Sequence, residues 1–379
     1  VGVFFGNDGE KYSDPYFSGK GPDRVACNVC GACMIGCPTG AKNTLDKNYL
    51  YFARKWGAQV IPETKVTKII PSNGEYLIET VSSTSIRKNI RTFKAKKVIV
   101  AAGVLGTINL LLKNKLEYKT LPNISEHLGD VVRSNNESLL GVTSFDENIN
   151  MSKGIAIGAG MNPDSVTKIE GVRYPEGSDL LRFLAIPLTG SGNLLVRPLK
   201  LIFGLICKLP SVIRLFFTKD WSRSTLILLV MQSLETDMRL VLRRSIFFGF
   251  KKILKGKVKP GQSVPSYIPV AQKAAKQLGK NINGLPQNIA SEVLMGVPAT
   301  AHILGGAIIS SSSDSGVVNT NHEVYGHPGL YVCDASVIPS NLAVNPSLTI
   351  SALSERFASK FPNILKEDEV KSREINFSG

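Results

Sequence analysis

No apolar run in this sequence reaches the ~20 residues that a helix needs to cross a bilayer, because basic side chains interrupt each one first. No internal repeat of solenoid or propeller period is present, which excludes an array of stacked units. Glycine and proline, 34 and 20 residues, are spread along the chain rather than bunched into low-complexity tracts. No G-x-G-x-x-G occurs either: “GAGMNP” from Gly158 and “GSGNLL” from Gly190 both lack the third glycine. The strand, glycine loop and helix that take a dinucleotide pyrophosphate therefore cannot be assembled from these residues. Histidine is scarce, with His127, His302, His322 and His327 the only four, so imidazole chemistry has few places to reside.

What remains is an ordinary globular balance, 43% hydrophobic and 20% charged, over a length sufficient for two domains. The formal charge is +15, from 45 Lys and Arg against 30 Asp and Glu. The positive residues are not laid out as a nucleic-acid motif, and no nucleic acid is expected as a partner. They crowd between Arg197 and Lys259, interleaved with large apolar side chains. Two readings of those segments stand side by side. One is a pair of core-packing helices with solvated outer faces, the other an amphipathic surface that makes peripheral contact with a membrane.

Four of the six cysteines stand in “CNVCGACMIGCPTGAK”, as Cys27, Cys30, Cys33 and Cys37, followed at once by Pro38. This C-x2-C-x2-C-x3-C-P spacing is the run by which bacterial ferredoxins hold iron–sulfur clusters. A copy of the two-cluster arrangement needs a second run, and only the isolated Cys207 and Cys333 remain. A single 4Fe–4S cluster, a tetrahedral zinc site and a structural role stay open at this level. The pattern is not the disulfide framework of a small secreted domain, which points to a reduced, intracellular setting; the expected localisation is cytoplasmic or peripheral to a membrane.

“LDKNYLYFARKWG” reads as a helix capped by Asp46, with Tyr49, Leu50, Ala53 and Trp56 along one face and Gly57 as its stop. The strand-like “AQVIPETKVTKII” and “NGEYLIETV” flank an Asn73-Gly74 turn signal. “KKVIVAAG” has the texture of a strand buried on both faces of a parallel sheet, and the helical period of “VLGTINLLLKN” follows it. That strand, the turn Ala101-Ala102-Gly103 and the helix suggest a nucleotide-binding α/β layer. “GLYVCDASVIP” reads as a strand running into a loop, and “NPSLTISALSERFASKF” as a helix with Pro346 near its start and Ser347 as its cap. His302, in “TAHILGGA”, lies between an apolar run and a Gly-Gly turn. Asn345 opens the last helix, whose N-terminus would stabilise an anionic ring placed before it.

“VGVFFG”, “DPYFSGKGPDR”, “CNVCGACMIGCPTGAKNTLDKNYL”, “TAHILGGA” and “GLYVCDASVIPSNLAVNPSLTISALSER” together resemble the glucose–methanol–choline (GMC) oxidoreductases, in their cholesterol oxidase-like branch. The similarity runs from the first residues to about Pro362. It implies FAD as cofactor and oxidation of a bulky apolar alcohol, such as a sterol, by hydride transfer to flavin. Dioxygen or another carrier would be the electron acceptor. On this resemblance His302 matches the active-site histidine of the family's H-P-L-G-G segment, with Ile303 in place of proline. Asn345 matches the asparagine of its G-V-N-P loop, with Ala343 in place of glycine. The imidazole would accept or relay the substrate proton, and the amide would polarise the flavin edge. Asp334 and Ala335 match the D-G-S segment that approaches the flavin, and Val66 a position whose backbone meets the adenine. Ala102 and Gly103 match another cofactor-side turn, and Pro346 and Ser347 complete the cofactor set. Glu170, in “KIEGVRYPEGSD”, is the candidate for the carboxylate that takes the proton in sterol-oxidising members. Cysteine-rich stretches accompany “GAKNTL” in this branch, and the family's chemistry gives them no metal role.

The expected fold is α/β. An FAD/NAD(P)-binding Rossmann-like domain would span 1–137 and 297–379, incomplete because its N-terminal βαβ unit is missing, and an α+β substrate-binding domain would span 138–296. The missing glycine loop predicts an N-terminally truncated fragment that binds FAD poorly alone. The rivals are an iron–sulfur electron-transfer module built on Cys27, Cys30, Cys33 and Cys37, and a non-catalytic relative.

Overall fold

In the computed structural model residues 2–258 and 264–362 are described. Asn73 and Gly74 both take positive φ, 48° and 78°, the two-residue turn whose twist matches that of paired strands. They join Thr64–Ser72 to Glu75–Ser82, and Ile90–Ala95 completes a three-stranded antiparallel sheet. Val98–Val100 pairs in parallel with Leu330–Val332, so segments from opposite ends of the chain share one layer. Val100, Leu330 and Val332 are buried there, but Ile99 is 50% exposed. The expected burial on both faces does not hold among the described residues, because side chains alternate and only one face is covered. Helix Gly103–Leu116 lays Val104, Ile108, Leu111 and Leu112 into the same core. Asn114 accepts from Ile69 N at 2.8 Å and donates to Thr67 O at 3.2 Å, pinning that helix to the neighbouring sheet.

A second sheet is antiparallel throughout, in the order Ala185–Pro187, Gly284–Ile289, Ser138–Ser144, Thr225–Gln232, Thr167–Val172, Ile157–Met161. “GAGMNP” runs through its edge strand instead of forming a phosphate loop. Paired residues share a face. Leu140, Val142, Ile169, Leu228 and Val230 pack under helix Pro269–Asn281 through Ala271 and Ala275. The alternate set, among it Leu139, Gly141, Glu170, Val172, Ile227 and Leu229, faces the other way.

Three local expectations are corrected. The first helix is Tyr49–Lys55, and its cap is Asn48, whose side chain accepts from Tyr49 N at 2.6 Å, rather than Asp46. Its apolar face is no core face: Tyr49, Leu50 and Trp56 are 52%, 49% and 68% exposed. The first basic segment does form helices, Val196–Cys207 and Leu209–Phe217, but they bury little beyond Arg197, Leu201, Val212 and Leu215. Their outer face carries exposed Ile202, Phe203, Ile206, Phe216 and Phe217, so the reading with solvated polar outer faces fails. The second basic segment is a hairpin of Met238–Arg244 and Lys252–Val258, because Leu240, Leu242 and Leu254 follow a two-residue period onto the first core. Among the described residues no helix is long and apolar enough to cross a membrane.

Candidate active site

His302 is delivered by the Gly305-Gly306 turn, with φ of 79° and 96°. A Cβ on Gly305 would lie 2.0 Å from Val131 O, so no other residue fits without moving backbone. Gly305 N donates to Ala335 O at 3.0 Å and Ala307 N to Ser336 O at 2.9 Å. Asp334 in turn accepts from Ser336 N at 2.8 Å and from Thr107 Oγ1 at 2.5 Å, while Ala102 N donates to that same Thr107 oxygen at 3.1 Å. Ala102, Asp334 and Ala335 are thereby laced to the turn that carries His302. Val66 lies beside a bulge in its strand and packs on the same core as Ala335.

His302 Nδ1 is hydrogen-bonded to Glu137 Oε1, and Glu137 Oε2 accepts from Ala301 N at 2.7 Å. Glu137 is buried, and nothing in the sequence singled it out. Its only signal was position: an acid at the foot of an apolar strand, Ser138–Ser144, where a solvated charge has no reason to sit. His322 and His327 are buried elsewhere, and burial lowers the pKa of both.

The other two candidates meet directly. Asn345 Nδ2 donates to both oxygens of Glu170, at 3.1 and 2.8 Å, and Lys168 Nζ pairs with Glu170 at 3.1 Å. Glu170 is 4% exposed and so is no surface charge. Asn135 ties the two pairs together: two residues before Glu137, it donates to the carbonyl of Val344, beside Asn345, at 2.8 Å. Asn341 Nδ2 fastens the same loop to Gln232 O at 2.7 Å.

Two helices of twelve or more residues end here without a side-chain cap. Gly103–Leu116 begins at exposed Gly103, and Ser347–Ala358 begins at exposed Ser347. Ser347 is the first residue of its helix and not its cap, as the position before it is Pro346. Neither first turn carries an acid. Unspent N–H groups and positive dipole ends suit an anion, and the nearby carboxylates are spent, Asp334 on Thr107 and Ser336, Glu170 on Asn345 and Lys168. The chemistry of these two helix starts fits the anionic groups of an FAD.

The cysteine run folds otherwise than a cluster cradle. All six thiols are free, and among the described residues no group of three or more His, Cys, Asp or Glu is placed to hold a metal ion. Nothing in this arrangement of the described residues supports the iron–sulfur reading. Cys27 Sγ accepts from Val29 N at 3.4 Å and Cys37 Sγ from Lys42 N at 3.4 Å. Burial pushes the Cys37 thiol up but is outweighed by hydrogen bonds from Thr39, Lys42 and Gly40, which hold it below the ordinary value. The backbone of Cys30 forms an isolated β-bridge with Gly154, and Gly154 N donates to Val29 O at 2.7 Å, so the loop docks on the segment that leads into the edge strand Ile157–Met161.

An apolar cavity of about 110 Å³ lies over the Glu170 face of that sheet, lined by Leu139, Gly141, Tyr174, Ile227 and neighbours. Glu170 itself does not line it.

Residues 22–131 and 225–354 match the N- and C-terminal family profiles of the GMC oxidoreductases. The chain is 42% identical over 373 residues to a cholesterol oxidase of Acinetobacter baumannii, covering 96% of this chain and 66% of that protein. It is 40% identical over 376 residues to a cholesterol oxidase of Mycobacterium tuberculosis, covering 96% of this chain and 64% of that protein. It thus spans just under two thirds of the length of these relatives. A formate oxidase structure from Aspergillus oryzae RIB40 superposes with a TM-score of 0.52 at 14% identity, over 79% of this chain and 60% of that one, a likeness of fold. The chain belongs to the GMC oxidoreductases.

Proposed function

We propose that this chain carries the alcohol-oxidising machinery of an FAD-dependent enzyme acting on a bulky apolar alcohol of the sterol class. One observation carries the reading. Two polar pairs, His302 with Glu137 and Asn345 with Glu170, are tied together by Asn135 beside a sheet face that carries Leu139, Val172, Ile227 and Leu229. With Nδ1 held by the Glu137 carboxylate, the imidazole presents a free Nε2 lone pair as base. The substrate hydroxyl gives its proton to that nitrogen, while Asn345, its amide nitrogen held on Glu170, borders the same place. Glu170, paired with Lys168, holds the Asn345 amide in that orientation and stands as a second carboxylate beside the leaving proton. Bound FAD would accept the carbinol hydrogen as hydride, its electrons passing on to dioxygen or another carrier. The alcohol becomes a carbonyl compound, and the start of Ser347–Ala358 favours the negative charge acquired nearby.

The exposed apolar face of Val196–Cys207 and Leu209–Phe217, flanked by Lys200, Lys208 and Lys219, is read as the part that rests on anionic lipid, where an apolar alcohol would be collected. The test of the catalytic reading is the anaerobic visible spectrum of the full-length flavoprotein. A sterol should bleach the flavin bands, and His302→Ala or Asn345→Ala should slow that bleaching ~100-fold or more. Bleaching at unchanged rates in both variants would remove these residues from the chemistry.

A further inference from the structure

The hairpin of Met238–Arg244 and Lys252–Val258 ends in a tip that the core does not use. Its base is fixed: Val132 and Met238 exchange backbone hydrogen bonds at 2.9 and 3.1 Å, and Leu240 N donates to Gly129 O at 2.8 Å. Leu240, Leu242 and Leu254 pack on the first core. Beyond them Ile246, Phe247, Phe248 and Phe250 are 76%, 98%, 62% and 67% exposed, a cluster of large apolar side chains within a single turn. Each is held in water at a cost, and a protein surface rarely concentrates such groups without a partner for them. The tip is nonetheless a defined structure. Phe250 N donates to Ser245 O at 2.9 Å and Ser245 N to Lys251 O at 3.1 Å, closing the loop on buried Ser245. Gly249 and Phe250 both take positive φ, 62° and 60°. That backbone conformation is unfavourable for phenylalanine, and here it leaves an aromatic ring in the open.

Two features choose the partner. The N–H groups of Ser245, Phe248, Gly249, Phe250 and Lys251 are all donated to carbonyls within the loop. A loop in water can leave such groups to solvent, whereas a segment entering hydrocarbon must satisfy its own backbone. The second feature is charge. No Asp or Glu lies between Asp237 and Glu292. Exposed Arg243, Arg244 and Lys251 flank the tip and form no ion pair with an acid among the described residues. Apolar rings framed by free cations match acyl chains beneath anionic headgroups. We propose that the tip at 246–250 inserts into the boundary between headgroups and acyl chains of an anionic bilayer, with Arg243, Arg244 and Lys251 on the lipid phosphates. This contact is separate from the one read for Val196–Cys207 and Leu209–Phe217, and it differs in kind, since a hairpin tip penetrates where helices lie flat. It involves neither substrate nor flavin, and so stands apart from the alcohol oxidation.

The experiment uses the FAD-loaded full-length protein and phosphatidylcholine vesicles with and without phosphatidylserine. Phe247→Ser together with Phe248→Ser should weaken binding to the anionic vesicles at least ~10-fold, at low and high salt alike, with the urea midpoint unchanged. Arg243→Gln together with Arg244→Gln should weaken it at low salt only. Depth is read from Phe247→Trp in a Trp56→Phe background, where buried Trp221 is the one native indole left. The added indole should shift to the blue on anionic vesicles and be quenched by brominated acyl chains. Undiminished binding by the serine variant, or binding without quenching, overturns the insertion and leaves the lipid contact to the two helices. Self-association of the unaltered protein without lipid, lost in the serine variant, also overturns it and makes the tip an interface between two copies of the chain. No arm of the experiment contains a sterol, so its outcome is independent of whether His302 and Asn345 oxidise one.

Discussion

Glu292 gives the sharpest quantitative prediction. It sits on the short helix Ala290–Leu294, fully buried, with its carboxylate on Ser138 Oγ at 2.9 Å and Leu139 N at 3.0 Å. Burial pushes its pKa from 4.5 up to about 7, against those two bonds and the nearby charge of Arg197. The folded value of this acid lies above its unfolded value. Between those two pH values the native state keeps a proton that the unfolded chain has released, so stability falls as pH rises through the window. A shift of about 2.5 units at about 1.36 kcal/mol each comes to ~3 kcal/mol, present below the window and gone above it. Glu292→Gln keeps an acceptor for Leu139 N and cannot ionise, so its stability should keep only the rise with pH that buried His322 and His327, their pKa lowered by burial, contribute. Urea unfolding of both proteins between pH 5 and 8 measures this directly. Relative to the variant the wild type should lose stability on that path, and the variant should be the more stable of the two at pH 8. Parallel pH curves would refute the assignment of the proton to Glu292. The site lies next door, since Ser138 follows Glu137, the partner of His302.

Gly305→Ala places a Cβ 2.0 Å from Val131 O at a φ of 79°, and should cost upwards of ~2 kcal/mol, read as a lowered urea midpoint with unchanged m-value; an unchanged midpoint would mean the turn relaxes freely. On the outer helices, Lys200→Glu together with Lys208→Glu should weaken binding to phosphatidylserine vesicles at least ~10-fold at low salt. Neutral vesicles should discriminate little between the two proteins, and equal binding to anionic ones would discount the lipid surface.

Signals confined to a few neighbouring residues were legible in the sequence. Asn73-Gly74 specifies its hairpin by positive φ alone, and Val98–Val100 runs through Ala101 and Ala102 into its helix as the texture required. His302 and Asn345 were proposed as candidates from motifs confined to a few residues. What was not legible depends on partners far along the chain. Glu137 matters because Arg133 N reaches Leu304 O at 2.8 Å and draws the two segments together, a contact no window of sequence contains. The hairpin at 238–258 was mistaken for helix because Lys and Arg beside Leu fit a helical face as well as an alternating strand. The cysteine spacing matched a ligand run, yet spacing along the chain does not fix where four thiols point, and here backbone N–H groups take two of them.

Register decides which residues of this sheet stand beside Asn345. Glu170 faces the apolar cavity side only because it stands opposite Leu229, and its neighbour Ile169 packs under helix Pro269–Asn281. A slip of one residue would bury the carboxylate under that helix and turn the isoleucine toward Asn345. The register of that pairing is held across the two strands by Gln232 Nε2, which donates to the directly opposite Thr167 Oγ1 at 2.9 Å. The same side-chain bond therefore sets which face the Glu170 carboxylate meets. A Gln232→Leu substitution should loosen this pairing and, with it, the contact of Glu170 with Asn345.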